Sequence, residues 1–175
     1  MPVAANSSPR IAILLPTYNG GQYLQEQIDS LYAQDYANFI IVTRDDGSTD
    51  DSVEIIQRNA CQHPERFHIV SADGRNIGAS AGFSALMEYV LDAQEALGLE
   101  PAYMMLCDQD DVWHSSKISK SIVAIMALEK RFPYRACLVH SDLRVVDEER
   151  ELLAESFFAY QGLRPDKRSF ARFLV

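Results

Sequence analysis

The chain has 175 residues, 47% of them apolar and 23% charged, and a formal net charge of -9. That length and balance suit one soluble domain with its own core. The acidity excludes a surface that coats nucleic acid, because nothing here could neutralise a row of phosphates, and an anionic substrate would need a cation other than Lys or Arg.

Residues 1–9 read as a disordered leader, and residues 10–175 as a single domain. The N-terminus lacks the apolar core of a signal peptide. "IAILLP" (11–16) is a short continuous apolar run closed by proline, the mark of a strand buried on both faces. Tyr23/Leu24, Gln27/Ile28 and Leu31/Tyr32 then recur at helical spacing. "FIIVTR" (39–44) predicts a second strand that breaks at "DDGSTDDS". There Ser48 or Thr49 is expected to cap a helix whose first turn carries Asp50 and Asp51. "FHIV" (67–70) predicts a third strand, and Phe83, Leu86/Met87 and Val90/Leu91 the helix after it. "AYMMLC" (102–107) and "ACLVH" (136–140) predict a fourth and a fifth strand, separated by a helix bearing Ile118, Ile122, Ile125 and Met126.

Alternating strands and helices mean an α/β fold, a mostly parallel sheet sandwiched by helices. Residues 142–155 read as a charged hairpin or extended excursion. The chain stops on "SFARFLV", apolar and uncapped, so it reads as the N-terminal portion of a longer protein. No apolar run approaches the roughly 18 residues that span a bilayer. Cys61, Cys107 and Cys137 lie far apart and read as small buried residues, not a disulfide framework. The four histidines show no zinc spacing. These features together predict a cytoplasmic protein.

In open α/β sheets, ligands bind at the carboxyl ends of the strands. Here those ends carry "PTYNGG", "DDGSTD", "DQDDVW" and "HSD", and the loop after the third strand adds "DGRNIGASAGF". Each alone has a plainer reading. "PTYNGG" has the composition of a turn, "DDGSTD" that of a helix cap, and "NIGASAGF" lacks the spacings of a phosphate loop. His140 and Ser141 read as structural, and Trp113 as closing the edge of the core.

"DQDDVW" is harder to explain as a turn. Asp108, Asp110 and Asp111 follow an apolar strand directly, and like charges so close repel unless water, a proton or a cation relieves them. A calcium loop is excluded, since position 113 is Trp where glycine is needed and position 119 is Ser where an acid is needed. A short oxygen-donor site remains, with Asp108 and Asp110 on one side because their spacing is two. Hard carboxylates favour magnesium or manganese, and both commonly complete their shell with phosphates.

The stretch "IAILLPTYNGGQYLQEQIDSLYAQDYANFIIVTRDDGSTDDSVEII", with its PTYN turn, S-L-x-x-Q helix end and DDGSTD loop, resembles the opening of the family 2 glycosyltransferases. "DQDDVW" is similar to the DxD metal motif in the form of the rhamnosyltransferase-like branch. The resemblance spans roughly residues 10–156. It implies a GT-A fold, a nucleotide-diphospho-sugar donor (a UDP- or dTDP-sugar, dTDP-rhamnose among them), a divalent cation (Mn2+ or Mg2+) and inverting transfer. Carried over by position, Pro16, Thr17, Tyr18 and Asn19 would line the base site, with Tyr18 against the pyrimidine. Asp46 would accept from the pyrimidine N3–H, and Asn76 and Gly78 would lie beside the nucleoside or sugar. Asp108 would face the ribose or the metal, and Asp110 would ligate the metal on the diphosphate. The general base falls beyond residue 175, with Asp142 not assigned to that role.

The reading implied is the donor-binding domain of a transferase in cell-surface polysaccharide biosynthesis, this fragment being inactive alone. Its acceptor would be a saccharide or lipid-linked saccharide, met at the inner face of a membrane through peripheral association. Two alternatives stay open. A nucleotidyltransferase usually needs a basic Gly-rich loop, and "PTYNGG" has no Lys or Arg. A non-catalytic nucleotide-sugar binding module differs from an enzyme only in turnover.

Overall fold

In the computed structural model, residues 8–163 are described. Most of the expected leader and the terminal "SFARFLV" lie outside that range. Of the leader, Ser8 and Pro9 are described, and their carbonyls accept from Asn38 Nδ2 and Tyr36 OH. Residues up to Lys120 and those from Ser121 cluster as two compact units.

The first unit alternates β1 (Ile11–Thr17), α1 (Gly21–Tyr32), β2 (Phe39–Asp45), α2 (Ser52–Gln62), β3 (Phe67–Ile69), α3 (Ala79–Ala93) and β4 (Tyr103–Leu106), then enters α4 (Lys117–Arg131). Its strands form one parallel sheet in the order β3-β2-β1-β4. Parallel pairing needs crossovers that cover the faces, which is why β1 and β2 are apolar without alternation. On one face Ala12, Leu14, Ile40 and Val42 pack with Leu86 and Val90 of α3. On the other, Ile11, Ile13, Leu15 and Ile41 are as deeply buried, as are Leu24, Ile28 and Leu31 of α1. Pro16 cannot donate to a ladder, and it falls past the stretch of β1 that pairs with β4, which ends at Leu14 opposite Leu106.

The order carries a functional consequence. From β1 the chain steps outward to β2 and β3, then returns to place β4 on the other side of β1. The switch point therefore lies between β1 and β4, where the loops after those strands diverge.

The second unit holds the rest of α4, the antiparallel hairpin β5 (Val145–Val146) and β6 (Leu152–Ala154), and the short α5 (Phe157–Tyr160). The hairpin is the one expected over 142–155. The fifth strand expected at 136–140 does not form: those residues are irregular. An apolar run is only a candidate strand until a ladder partner meets it, no described strand does, and Leu138 stays 78% exposed. His140 packs edge-on to Phe158, as a structural residue would. The Asp142 carboxylate accepts from Ser156 Oγ, Phe158 N and Leu143 N, and these bonds, Ser156 first, hold it below the usual carboxylate range.

Of the three cysteines only Cys107 is buried, Cys61 being exposed and Cys137 half-buried. The two not buried lie on the outer side of α2 and in the irregular segment after α4, where no core needs a small residue.

Candidate functional site

β1 ends between two acid-bearing loops, and its own turn is built by the first of them. Asp45, the last residue of β2, accepts from Thr17 Oγ1 (2.8 Å) and Ser48 Oγ (2.5 Å) with one oxygen, and from the N–H groups of Gly47 and Ser48 with the other. Ser48 Oγ in turn accepts from Asn19 N–H at 2.8 Å, and Asn19 Oδ1 accepts from Thr49 N–H at 2.8 Å. Asn19 sits at φ 48°, a left-handed conformation that Asn adopts more readily than most residues. Asp50 accepts from Gly21 N–H and from both the backbone and the hydroxyl of Ser52. These bonds, the Ser52 hydroxyl first, lower its pKa.

The helix cap expected at Ser48 or Thr49 is therefore corrected. α2 begins at Ser52 with Asp51 as its N-cap residue, and no side chain caps it. Ser48 and Thr49 are engaged instead, Ser48 by Asp45 of its own loop and both by Asn19 of the β1 turn.

Asp46 lies deeper, 3% exposed, and its Oδ1 accepts from Arg44 Nε at 2.7 Å. Its Oδ2 sits 3.4 Å from the Ile77 N–H and faces Gly82, where an added Cβ would come within 3.6 Å of it. The loop after β3 thus closes over Asp46. It approaches so tightly that a Cβ at Gly47, itself at φ +85°, would stand 2.1 Å from the Gly74 carbonyl. Asn76 Oδ1 accepts from Gly78 N–H at 2.8 Å and so shapes the entry into α3. Pro16 touches the same helix near Gly82. Thr17 is buried on Asp45, whereas Tyr18 is 44% exposed.

The loop after β4 is fastened from several directions. Trp113, 5% exposed, closes the core edge as expected, and its backbone N–H donates to Ser30 Oγ at 3.0 Å. Gln34 Nε2 donates to the His114 carbonyl at 2.9 Å, and Gln34 Oε1 accepts from Ile118 N–H at 3.1 Å. Asp35 N–H donates to the Ser115 carbonyl. These contacts give the S-L-x-x-Q end of α1 a physical role: Ser30 and Gln34 anchor the acidic loop. Gln109 binds Tyr18 through both backbone groups.

Strand alternation does not put Asp108 and Asp110 on one side, since β4 ends at Leu106 and residues 109–110 form a turn. The acids are neighbours nonetheless. Asp108 is exposed as a residue, yet local burial and then the Asp110 charge raise its carboxyl pKa. Asp111 is raised by burial, then by Asp108 and Asp110, with Lys117 opposing. A carboxyl with a raised folded pKa binds its proton more tightly when folded, so its stabilising contribution is fullest at low pH and is lost as pH rises through that value. We expect carboxyl-carbon NMR titrations to give midpoints for Asp108 and Asp111 above the roughly 3.9 of a free aspartate. Asp110→Asn should lower both, and unmoved midpoints would refute the mutual repulsion.

Among the described residues, no hydrogen bond reaches the side-chain oxygens of Asp108 or Asp110, whereas Asp45, Asp46 and Asp50 are all engaged. Two hard, unpartnered, mutually repelling carboxylates fit a divalent cation. No group of three or more His, Cys, Asp or Glu among the described residues could hold one alone. A cation here would complete its shell with water or phosphate oxygens. Sequence reasoning missed Gln109 and Arg44; the pattern offers only a Gln between two aspartates and an Arg two positions before a third.

The family model described as "Glycosyl transferase family 2" matches residues 12–167. The dTDP-rhamnosyl transferase RfbG of Shigella flexneri is 29% identical over 109 residues, which are 62% of this chain and 35% of that protein. Chondroitin synthase of Escherichia coli is 28% identical over 102 residues, 57% of this chain and 15% of that protein. The solved structure of S. aureus TarS 1-349 in complex with UDP aligns at 17% identity with a TM-score of 0.51, covering 86% of this chain and 44% of that one. The fold, a mostly parallel sheet flanked by helices, is GT-A. This chain spans less than half the length of the curated relatives it matches. No described helix is long and apolar enough to cross a membrane. With the model's match covering most of its length, the chain belongs to glycosyl transferase family 2.

Proposed function

We propose that this chain is the donor-binding part of an inverting sugar transferase that takes a UDP- or dTDP-sugar with manganese or magnesium. The observation that carries this reading is the pair of unpartnered carboxylates, Asp108 and Asp110, beside the β1 turn at the switch point of the sheet. Likeness to a dTDP-rhamnosyl transferase supports dTDP-rhamnose as a donor, and the product in this reading is a surface polysaccharide. Such a reaction would take place in the cytoplasm, with a saccharide or lipid-linked saccharide acceptor met at the inner face of the membrane.

The base would lie against the Tyr18 ring, in the site formed by Pro16, Thr17 and Asn19. Asp46 Oδ2, met only by a long 3.4 Å contact from the Ile77 N–H, is the carboxylate oxygen that would accept from a pyrimidine N3–H, Oδ1 being held by Arg44. Asn76 and Gly78 would border the nucleoside or sugar, and Asp108 and Asp110 would face ribose and diphosphate. An acceptor hydroxyl attacks the anomeric carbon from the face opposite the leaving nucleoside diphosphate, so the configuration inverts. A divalent cation supplies Lewis-acid stabilisation of the charge on that leaving group. Deprotonation of the acceptor needs a general base, and the Asp142 carboxylate, bound to Ser156 and backbone N–H groups, is not assigned to it.

Calorimetry with nucleoside diphosphates tests the reading. UDP and dTDP should bind in manganese and fail to bind in chelator. CDP, which has no N3–H, leaves that buried acceptor with only the long Ile77 contact, at about 1–3 kcal/mol, and should bind roughly tenfold weaker or worse. Equal binding with and without metal, or a preference for ADP or GDP, would contradict it.

A further inference from the structure

β4 leaves the sheet before β1 does. Its last rung is Leu106 opposite Leu14, with Cys107 N–H still donating to the Leu14 carbonyl at 3.0 Å. β1 continues to Thr17 paired only with β2. Beyond it, the side-chain amide of Gln109 meets Tyr18 much as a neighbouring peptide would. Gln109 Oε1 accepts from Tyr18 N–H at 2.9 Å, and Gln109 Nε2 donates to the Tyr18 carbonyl at 3.0 Å. One amide therefore satisfies both backbone groups of one residue, across 91 positions of sequence.

The same amide explains Gly20. Its φ of -105° is open to any residue, but an added Cβ would lie 2.4 Å from both Gln109 Cδ and Oε1. A side chain there would therefore have to push the Gln109 amide off Tyr18. Gln109 is flanked by Asp108 and Asp110, so fixing its amide on Tyr18 also fixes where those carboxylates stand relative to the Tyr18 ring.

We propose that Gln109 is a positioning residue that sets the spacing between the base end and the diphosphate end of the donor site. The proposal rests on the donor-binding reading above. Without the amide, the turn at 109–110 loses its tie to β1, and a metal-bound diphosphate no longer lines up with a base held at Tyr18. The uridine end keeps its own supports, Asp45 under the β1 turn and Arg44 on Asp46.

The test compares uridine, uridine diphosphate and manganese on wild type, Gln109→Ala and the near-isosteric Gln109→Glu, which keeps the acceptor but places a carboxylate oxygen on the Tyr18 carbonyl. With two hydrogen bonds lost or opposed, both variants should need about tenfold more manganese for half-maximal uridine diphosphate binding. Their affinity for uridine alone, read by ligand-observed NMR, should be unchanged. Gly20→Ala, acting from the other side of the same contact, should shift the manganese curve in the same direction. Equal weakening of uridine and uridine diphosphate would mean a merely structural role and overturn the proposal. A manganese requirement in wild type matched by both Gln109 variants would overturn it while leaving the donor site standing. Uridine diphosphate binding by wild type without manganese would overturn the donor-site reading itself and this proposal with it.

Discussion

Asp110→Asn is expected to abolish manganese-dependent binding of uridine diphosphate while leaving the protein folded and no less stable. The two halves of this expectation have one cause. No hydrogen bond among the described residues reaches the Asp110 side-chain oxygens, so neutralising the residue breaks no structural contact. It does remove the like charge that helps raise Asp108 and Asp111. The metal-free protein should therefore hold or slightly raise its thermal midpoint. Binding should move the other way. Losing a partner outside the ligand shell typically costs a metal site about 10–100-fold in affinity, and a direct oxygen donor should cost more. Calorimetry with manganese, paired with thermal unfolding in chelator, reads both. A variant that binds as wild type would remove Asp110 from the metal site. One that loses binding only because it unfolds would show a structural role instead.

The contrast between acids that bind protein and acids that bind nothing was only half legible in the sequence. "DDGSTD" and "DQDDVW" look alike as text, and composition marks both as polar loops at strand ends. What separates them is long-range bonding. Asp45 meets Thr17 across 28 positions, while among the described residues no donor meets the side chains of Asp108 and Asp110. Local pattern sufficed for β1, α1, β2, α3 and β4, because burial on both faces or on one stripe writes itself into spacing. It failed at 136–140, where the apolar run lacked a partner strand, and at Ser48, whose hydroxyl found Asp45 instead of a helix end. Gln34 shows the same limit. Its place in the S-L-x-x-Q helix end could be read, but not its grip on His114 and Ile118, 80 and 84 positions further along the chain. Residues that tie separate loops together leave almost no periodic trace.

The second large effect concerns stability and needs no ligand. Arg44 is 9% exposed and Asp46 3%, and they meet at 2.7 Å. They sit two residues apart at the carboxyl end of β2, Arg44 within the strand and Asp46 just past it, with Asp46 Oδ2 toward Gly82 of α3. With both groups withdrawn from water, neither can fall back on solvent if the other is removed. Arg44→Met should leave the Asp46 carboxylate buried beneath Ile77 and Gly82 without its cation. Breaking a buried pair from one side typically costs about 3–5 kcal/mol. In a chain of this size each kcal/mol moves the thermal midpoint by roughly 2–4 °C, so a loss on the order of ten degrees is expected. Removing both charges should cost far less, since apolar replacements of a buried pair are often neutral or better. Urea unfolding of Arg44→Met, Asp46→Leu and the double variant, all without nucleotide, closes the cycle. The double variant should recover most of what either single variant loses. If the single losses simply add, or Arg44→Met stays within about 1 kcal/mol of wild type, the pair behaves as an exposed one, for which that figure is the usual ceiling. Because no nucleotide is present, the outcome holds whether or not Asp46 ever meets a base.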